Sequence, residues 1–375
     1  MERIYLDHSA TTVLHPRVLA VMAESLERVW GNTSSIHQVG LEAKERLEMA
    51  RQQVAAFIGA AAGEIVFTSS GSEANNAALW GVFQSSGKKH LIISAIEHPS
   101  VLECARNLRR FGVEVTEVPV DAYGRVDPER VRSLIRPDTF LVSIMLANNL
   151  VGTIQPIEEI SAITRRQGIP LHVDAVQAAG HLSLEVDRLG VDLLTISAHK
   201  IYGPKGAAAL YVRRGLTLEP LLRGGHQENR RRAGTVNLPA IAGFGEACRL
   251  AQEELEERYR HDASLRDRLQ SGLEKLGVRI LGHPKLRVPH ILCACFPGWL
   301  GEMVLLELDR KGICVSTGSA CTSGQASSAY VLEAMGLSEE EAAAAVRFSL
   351  GRANTADQIE RTLQVIGSMM KKVEQ

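Results

Sequence analysis

Thr195-Ile196-Ser197-Ala198-His199-Lys200-Ile201-Tyr202-Gly203-Pro204-Lys205-Gly206 is the stretch that decides how this chain is read. A strand-like apolar run, 191–196, ends in a serine, a histidine and a lysine, and a glycine-rich turn follows. A lysine at a strand end in a pocket can lose its proton and become a nucleophile, because burial disfavours the ammonium form. Upstream, a second apolar run ends His172-Val173-Asp174-Ala175-Val176-Gln177, placing an acid and an amide at another strand end. Further outward, 64–67, 91–95, 113–118, 140–146, 171–173, 193–196 and 208–212 read as short strands separated by helical stretches. Such alternation predicts an α/β fold built on a mostly parallel seven-stranded sheet covered by helices.

Ligands of open α/β sheets bind at the carboxyl ends of the strands. There the chain places Gly71 and Ser72 in a Gly/Ser turn before a helix, then Glu97 with His98, Asn148 with Asn149, Asp174 with Gln177, and Ser197 with His199 and Lys200. Small residues at a helix N-terminus offer free N–H groups to a phosphate. Each feature alone has an ordinary reading: a helix cap, a satisfied histidine, a turn asparagine, an N-cap aspartate, a surface lysine. Those readings give no reason for convergence. Together the residues suit pyridoxal phosphate (PLP): Lys200 for a Schiff base, Ser197 and His199 for the phosphate, Asp174 for the pyridinium nitrogen.

Residues 42–58 read as an amphipathic helix on Leu47, Ala50, Val54 and Phe57, and 239–276 is helical in composition. The tail mixes strands at 278–281 and 291–296 with helices at 301–311 and 356–373, which predicts a smaller α+β domain. The expected division is a large domain over 14–257 and a small one made of 1–13 and 258–375. Within the small domain, Val315 to Ser328 is a polar, glycine-containing loop around Cys321. A cysteine in such a loop is either incidental or reactive. Arg347, in a strand-like run, suits a substrate carboxylate, with a surface ion pair as the ordinary alternative. Arg230-Arg231-Arg232 is a solvated face or an anionic docking patch, and Gly234-Thr235 could add an amide and a hydroxyl to a phosphate site.

The 375 residues, 45% hydrophobic, suffice for about two domains. A net charge of −1 argues against wholesale nucleic-acid or membrane-surface binding. No apolar run approaches the roughly 20 residues of a membrane helix, and Met1 to Asp7 carry no signal-peptide pattern, so a cytoplasmic protein is expected. The six cysteines form no CxxC pair, which leaves zinc-ribbon and disulfide-framework readings weak. Cys293 and Cys295 alternate on one strand face as inert fillers, and Cys314 is expected to be buried.

With these residues in view, the chain resembles the cysteine desulfurases of the NifS/IscS type, in the class V aminotransferase fold. The likeness runs from Tyr5-Leu6-Asp7 with Ala10-Thr11-Thr12 through Ser72 to Asn76, Glu97-His98, Asn148-Asn149 and the Asp174 and Lys200 motifs. It continues in Arg232-Ala233-Gly234-Thr235, Ser319-Ala320-Cys321-Thr322-Ser323 and Arg347 to Arg352. The resemblance implies a homodimeric type I PLP fold and roles for each residue. Lys200 holds PLP and shuttles protons, Asp174 pairs with the pyridinium, Gln177 contacts the ring oxygen, and His98 stacks on the ring as acid/base. Gly71, Ser72, Ser197 and His199 bind the phosphate, with Thr235 reaching in from a second subunit, and Asn149 and Arg347 take the substrate carboxylate. Cys321 takes sulfur from L-cysteine as a persulfide for a sulfur-acceptor protein, an iron–sulfur scaffold or tRNA thiolase, and could transiently ligate a cluster with that partner. A selenocysteine lyase or another class V PLP lyase or aminotransferase, and a non-catalytic sulfur-carrier or scaffold subunit, are the alternatives. His8, Ser9, Thr33, Leu150 and Val236 depart from the usual family pattern without removing a group from the chemistry.

Overall fold

The computed structural model describes residues 3–317 and 329–371, so Cys321 lies outside the described residues. Its strands, in chain order, are β1 (Ile4–Tyr5), β2 (Ile65–Thr68), β3 (His90–Ser94), β4 (Glu114–Val118), β5 (Thr139–Ser143), β6 (Leu171–Asp174), β7 (Leu193–Ser197), β8 (Ala208–Val212), β9 (Arg279–Leu281), β10 (Ile291–Cys295), β11 (Ile313–Cys314), β12 (Ser316–Thr317) and β13 (Ala345–Ser349). Seven of them form one sheet in the order β2-β8-β7-β6-β5-β3-β4. The pairs β3–β4, β3–β5, β5–β6 and β6–β7 are parallel, and only β8 runs against its neighbours. This is the expected mostly parallel α/β sheet. Helices cover both faces, so β3, β5, β6, β7 and β8 are buried at every residue, which is why they read as apolar runs rather than as alternation.

A second, antiparallel sheet runs β12-β13-β10-β9 and is backed by the helices Gly301–Asp309 and Ala356–Lys371. Cys293 and Cys295 on β10 are both buried in one apolar cluster, and burial pushes the Cys293 thiol up to about 12. Cys314 departs from expectation. It is half-buried, because β11 pairs only with β1 at the margin of this sheet. The 239–276 stretch forms two helices, Leu238–Glu253 and Leu255–Lys275, broken at Glu254. The first is buried almost all round against Pro16–Arg28 and Gln38–Phe57; the second packs on Ala356–Lys371, so the axis must turn between them.

The N-terminal segment links the two sheets. β1 pairs with β11, and His8 N donates to Ser349 O at 3.2 Å. The chain then crosses to the lysine turn, where Thr12 N donates to His199 O and His15 N to Tyr202 O, each at 2.9 Å. Residues 7–12 thus form a strap lying over the carboxyl ends of β6 and β7. None of the described helices is long and apolar enough to cross a membrane.

Candidate active site

Lys200 closes the short turn Ala198–Lys200 that follows β7. Its Nζ donates to the carbonyls of Ser9 and, at 2.8 Å, Ala10. Burial, then the nearby Arg347 charge, lowers the amine from 10.5 to about 7, although Asp7 and Asp174 pull the other way. An amine so shifted is substantially neutral, hence nucleophilic, near physiological pH.

Asp174 ends β6, next to β7 in the sheet. Its Oδ2 accepts from Asn75 Nδ2 at 2.7 Å and its Oδ1 from Val176 N at 3.0 Å. Two donors thus fix the orientation of this buried carboxylate. Gln177, one turn on, donates from Nε2 to Ser9 O at 3.0 Å. His98 caps the helix Pro99–Leu108, and its Nδ1 accepts from Ser100 N at 3.1 Å, so the neutral ring carries its proton on Nε2. Burial lowers the His98 proton affinity; Asp174 raises it and Lys200 lowers it, which places all three within one electrostatic neighbourhood.

The helix Gly71–Ser86 starts beside these groups. A Cβ on Gly71 would lie 3.2 Å from Val176 and 3.8 Å from Ser197, so glycine permits the close approach. Ser70 Oγ accepts from Glu73 N at 3.1 Å, while the N–H groups of Gly71 and Ser72 are first-turn donors without an intrahelical acceptor. Ser72 is exposed and Ser197 is buried at the end of β7. His199 lies 3.2 Å from Thr11 Oγ1 through Nδ1, and burial with the Lys200 charge lowers it to about 4.

Arg347 lies in β13, mostly buried. It donates from Nη1 to Asn149 O at 2.9 Å and from Nη2 to Asp7 Oδ1 at 2.7 Å. Its Nε and Asn149 Oδ1 are buried without partners, two polar atoms left for a ligand. Thr235 stands apart: it is exposed, and among the described residues no hydrogen bond joins it to the others. Its loop is nevertheless pinned to the site. Arg232 pairs with Glu73 at 2.8 Å, and buried Glu228 binds Arg51 at 2.7 and 2.8 Å and Phe67 N at 2.8 Å. The triple-arginine run is therefore split, with Arg232 inward and Arg230 exposed.

Several residues here were named in the sequence without a role. Asn75 shares an apolar helix stripe with Ala78, Leu79 and Val82, and a buried polar residue on such a stripe was the physical signal beside its place in the Ser72–Asn76 motif. Glu97, fully buried, accepts from Ser94 Oγ at 2.5 Å and Met145 N at 2.8 Å, and burial raises it to about 8, which makes it a neutral acid near pH 7. Asp7, Ser9 and Ala10 belong to the strap; the resemblance covered Asp7 and Ala10, but nothing local in the sequence pointed to their contacts with Arg347 and Lys200.

The donor set can be tested against PLP. A lysine of depressed pKa, a buried hydrogen-bonded carboxylate, a flat half-buried imidazole and an open helix N-terminus fit an aldehyde, a pyridine nitrogen, an aromatic ring and a phosphate in turn. The comparisons agree with this fit. A family model described as aminotransferase class V matches residues 4–362. Cysteine desulfurase IscS of Methanosarcina thermophila is 45% identical over 99% of this chain and 92% of its own length. Its counterpart in Dictyoglomus turgidum is also 45% identical, over 99% and 95%. A solved NifS-like protein superposes with a TM-score of 0.94 at 39% identity, covering 99% of this chain and all of that one. SspA, solved in complex with cysteine, superposes with a TM-score of 0.82 at 34% identity, covering 94% of this chain and all of that one. From the matched span, these identities and the shared fold, this chain belongs to the class V aminotransferase family, whose cofactor is PLP.

Proposed function

We propose that this chain is a PLP-dependent cysteine desulfurase that converts L-cysteine to L-alanine and carries the sulfur away on Cys321. The observation that carries the reading is the gathering of Lys200, Asp174, His98 and Gln177 at neighbouring strand ends, with Arg347 and Asn149 brought to them from β13 and the loop after β5. PLP, when bound, supplies an electron sink for the carbon that loses sulfur. Lys200 would hold the cofactor and move protons at Nζ. Asp174, oriented by Asn75 and the Val176 N–H, would face the pyridine nitrogen, His98 would stack on the ring and Gln177 would meet its oxygen. Gly71, Ser72, Ser197 and neutral His199 would cradle the phosphate. Arg347 and Asn149 orient the substrate carboxylate.

Cys321, assigned from sequence, attacks the substrate sulfur as a thiolate. The C–S bond breaks as the S–S bond forms, and the carbon takes a proton. L-cysteine plus the Cys321 thiol thus becomes L-alanine plus the Cys321 persulfide, with no external oxidant. The test is sulfide and alanine release from L-cysteine with dithiothreitol, beside Cys321→Ala. Equal sulfide and alanine from the wild type, with sulfide lost in the variant, supports the reading. No alanine from PLP-loaded wild type sinks it, and activity surviving in the variant favours a lyase that does not use Cys321.

The finer assignments belong to the same proposal. The working unit is a homodimer, since Val13, Leu19, Leu26, Trp30 and Ile36 expose a run of apolar side chains suited to a second copy, whose Thr235 would complete the phosphate site. Light scattering in solution tests this directly. The large PLP-binding domain spans 14–257, and the small domain 1–13 with 258–375. The acceptor is a protein that receives persulfide sulfur for iron–sulfur assembly or tRNA thiolation. The five described cysteines are all free, in keeping with a reducing cytoplasm.

A further inference from the structure

Within four positions the strap engages three of the groups that cofactor and substrate need. Asp7 Oδ1 accepts from Arg347 Nη2 at 2.7 Å. Ser9 O accepts from Gln177 Nε2 and from Lys200 Nζ, and Ala10 O from Lys200 Nζ. The Arg347 contact is incomplete. A guanidinium is built to fork a carboxylate with two parallel N–H donors, yet Asp7 meets it through one oxygen while Nε stays buried and unpartnered. Asn149 Oδ1, beside it, is unpartnered as well. The Asp7 side chain keeps 20% of its surface exposed against 9% for Arg347, so it has a route to water that the arginine lacks.

We propose that Asp7 is a placeholder carboxylate: it neutralises the buried Arg347 guanidinium before substrate arrives and gives way to the carboxylate of the incoming amino acid. The inference rests on Arg347 as the partner of that carboxylate. A two-point ligand outcompetes a one-point occupant, so the exchange favours substrate. It also spares the site an unpaired buried cation in the resting state. The charge balance around Lys200 is preserved, since Arg347 lowers and Asp7 raises its proton affinity, and the arriving carboxylate takes over the role of the departing one. An amine without a carboxylate cannot displace Asp7, so the strap acts as a specificity element. Asp7 precedes Ser9 by two residues, so its release also loosens the carbonyls that hold the Lys200 amine.

The experiment compares the PLP-loaded wild type with Asp7→Asn and Asp7→Glu, titrating each with L-alanine and with ethylamine by visible absorbance. Asp7→Asn, which removes the competing charge, is expected to bind L-alanine about fivefold more tightly and ethylamine within about twofold of wild type, with Asp7→Glu near wild type for both. A second readout uses cofactor-free protein: the pH midpoint for reductive methylation of Lys200 should fall in Asp7→Asn, because Asp7 raises it. Weaker or unchanged L-alanine binding in Asp7→Asn overturns the proposal and makes Asp7 an orienting or silent group. Should Asp7→Asn fail to fold, Asp7→Ser carries the same titration. L-alanine affinity insensitive to Arg347→Lys is a separate failure, that of the Arg347 reading itself.

Discussion

Lys200 is set by three influences with different ranges. Desolvation is the largest, Arg347 adds to it, and Asp7 with Asp174 oppose it, leaving the amine near 7. PLP uptake by the cofactor-free protein should therefore slow as pH falls below about 7, following loss of the neutral amine; a rate flat from pH 8 to 6 would contradict the shift. Lys200→Ala should reduce alanine formation by about a hundredfold or more, as expected when a proton-transfer group is removed, and product quantification checks it. Lys200 and Asp174 were legible in the sequence because each sits in a short motif at the end of an apolar run. Asn75 was not legible as the Asp174 partner, since 99 positions separate them and only the fold brings the amide to the carboxylate.

Individual elements carry their own strain. Glu228, Asn229 and Arg230 all adopt positive φ, at 45°, 53° and 67°, a region that costs non-glycine residues energy. The fork between Glu228 and Arg51, sealed from water, offsets that cost and holds the Arg232–Thr235 loop against the Gly71 helix. Removing one partner leaves the other charged and buried, so Glu228→Gln should destabilise the fold by about 3 kcal/mol in denaturant unfolding. A loss below about 1 kcal/mol would show that the loop does not depend on the pair. The strap is tightly fitted too. A Cβ on Gly351 would come within 2.6 Å of the His8 ring, so Gly351→Ala should cost roughly 1–3 kcal/mol, and pairing it with His8→Ala should recover part of that loss.

Across the whole molecule, acid lability follows from buried histidines. His8, His172 and His199 are each lowered to about 4, chiefly by burial, and His290, stacked on His181 at 3.5 Å, is also lowered. In the unfolded chain these rings protonate near 6.5, so between about 6.5 and 4 the unfolded state binds more protons than the folded one. Their contribution is present above about 6.5 and is lost as pH falls towards 4. Glu97 works in the opposite sense: raised to about 8, it favours the fold at low pH and weakens it as pH climbs from 4.5 to 8. The histidines outnumber it, so the melting temperature should fall steadily from pH 6.5 to 4.5. His172→Gln should flatten that fall, and differential scanning calorimetry across this range would expose a flat profile if the balance is otherwise.

What the sequence determined by itself was the class of fold and which polar groups stand at the strand ends. Buried parallel strands must be apolar along their length, and groups for a cofactor must stand at strand ends, so both leave contiguous traces in the chain. The helical stretch at 239–276 showed the limit of that reading, because composition marks helix but not the turn at Glu254 that packing imposes. Only the tertiary structure decided which charges meet. Asp7 reaches Arg347 across 340 positions, Glu228 reaches Phe67 across 161, and the strap carbonyls reach Lys200 across 190. Electrostatic and hydrogen-bond partners are chosen by distance in space, and a linear pattern holds no record of that distance until the chain has folded.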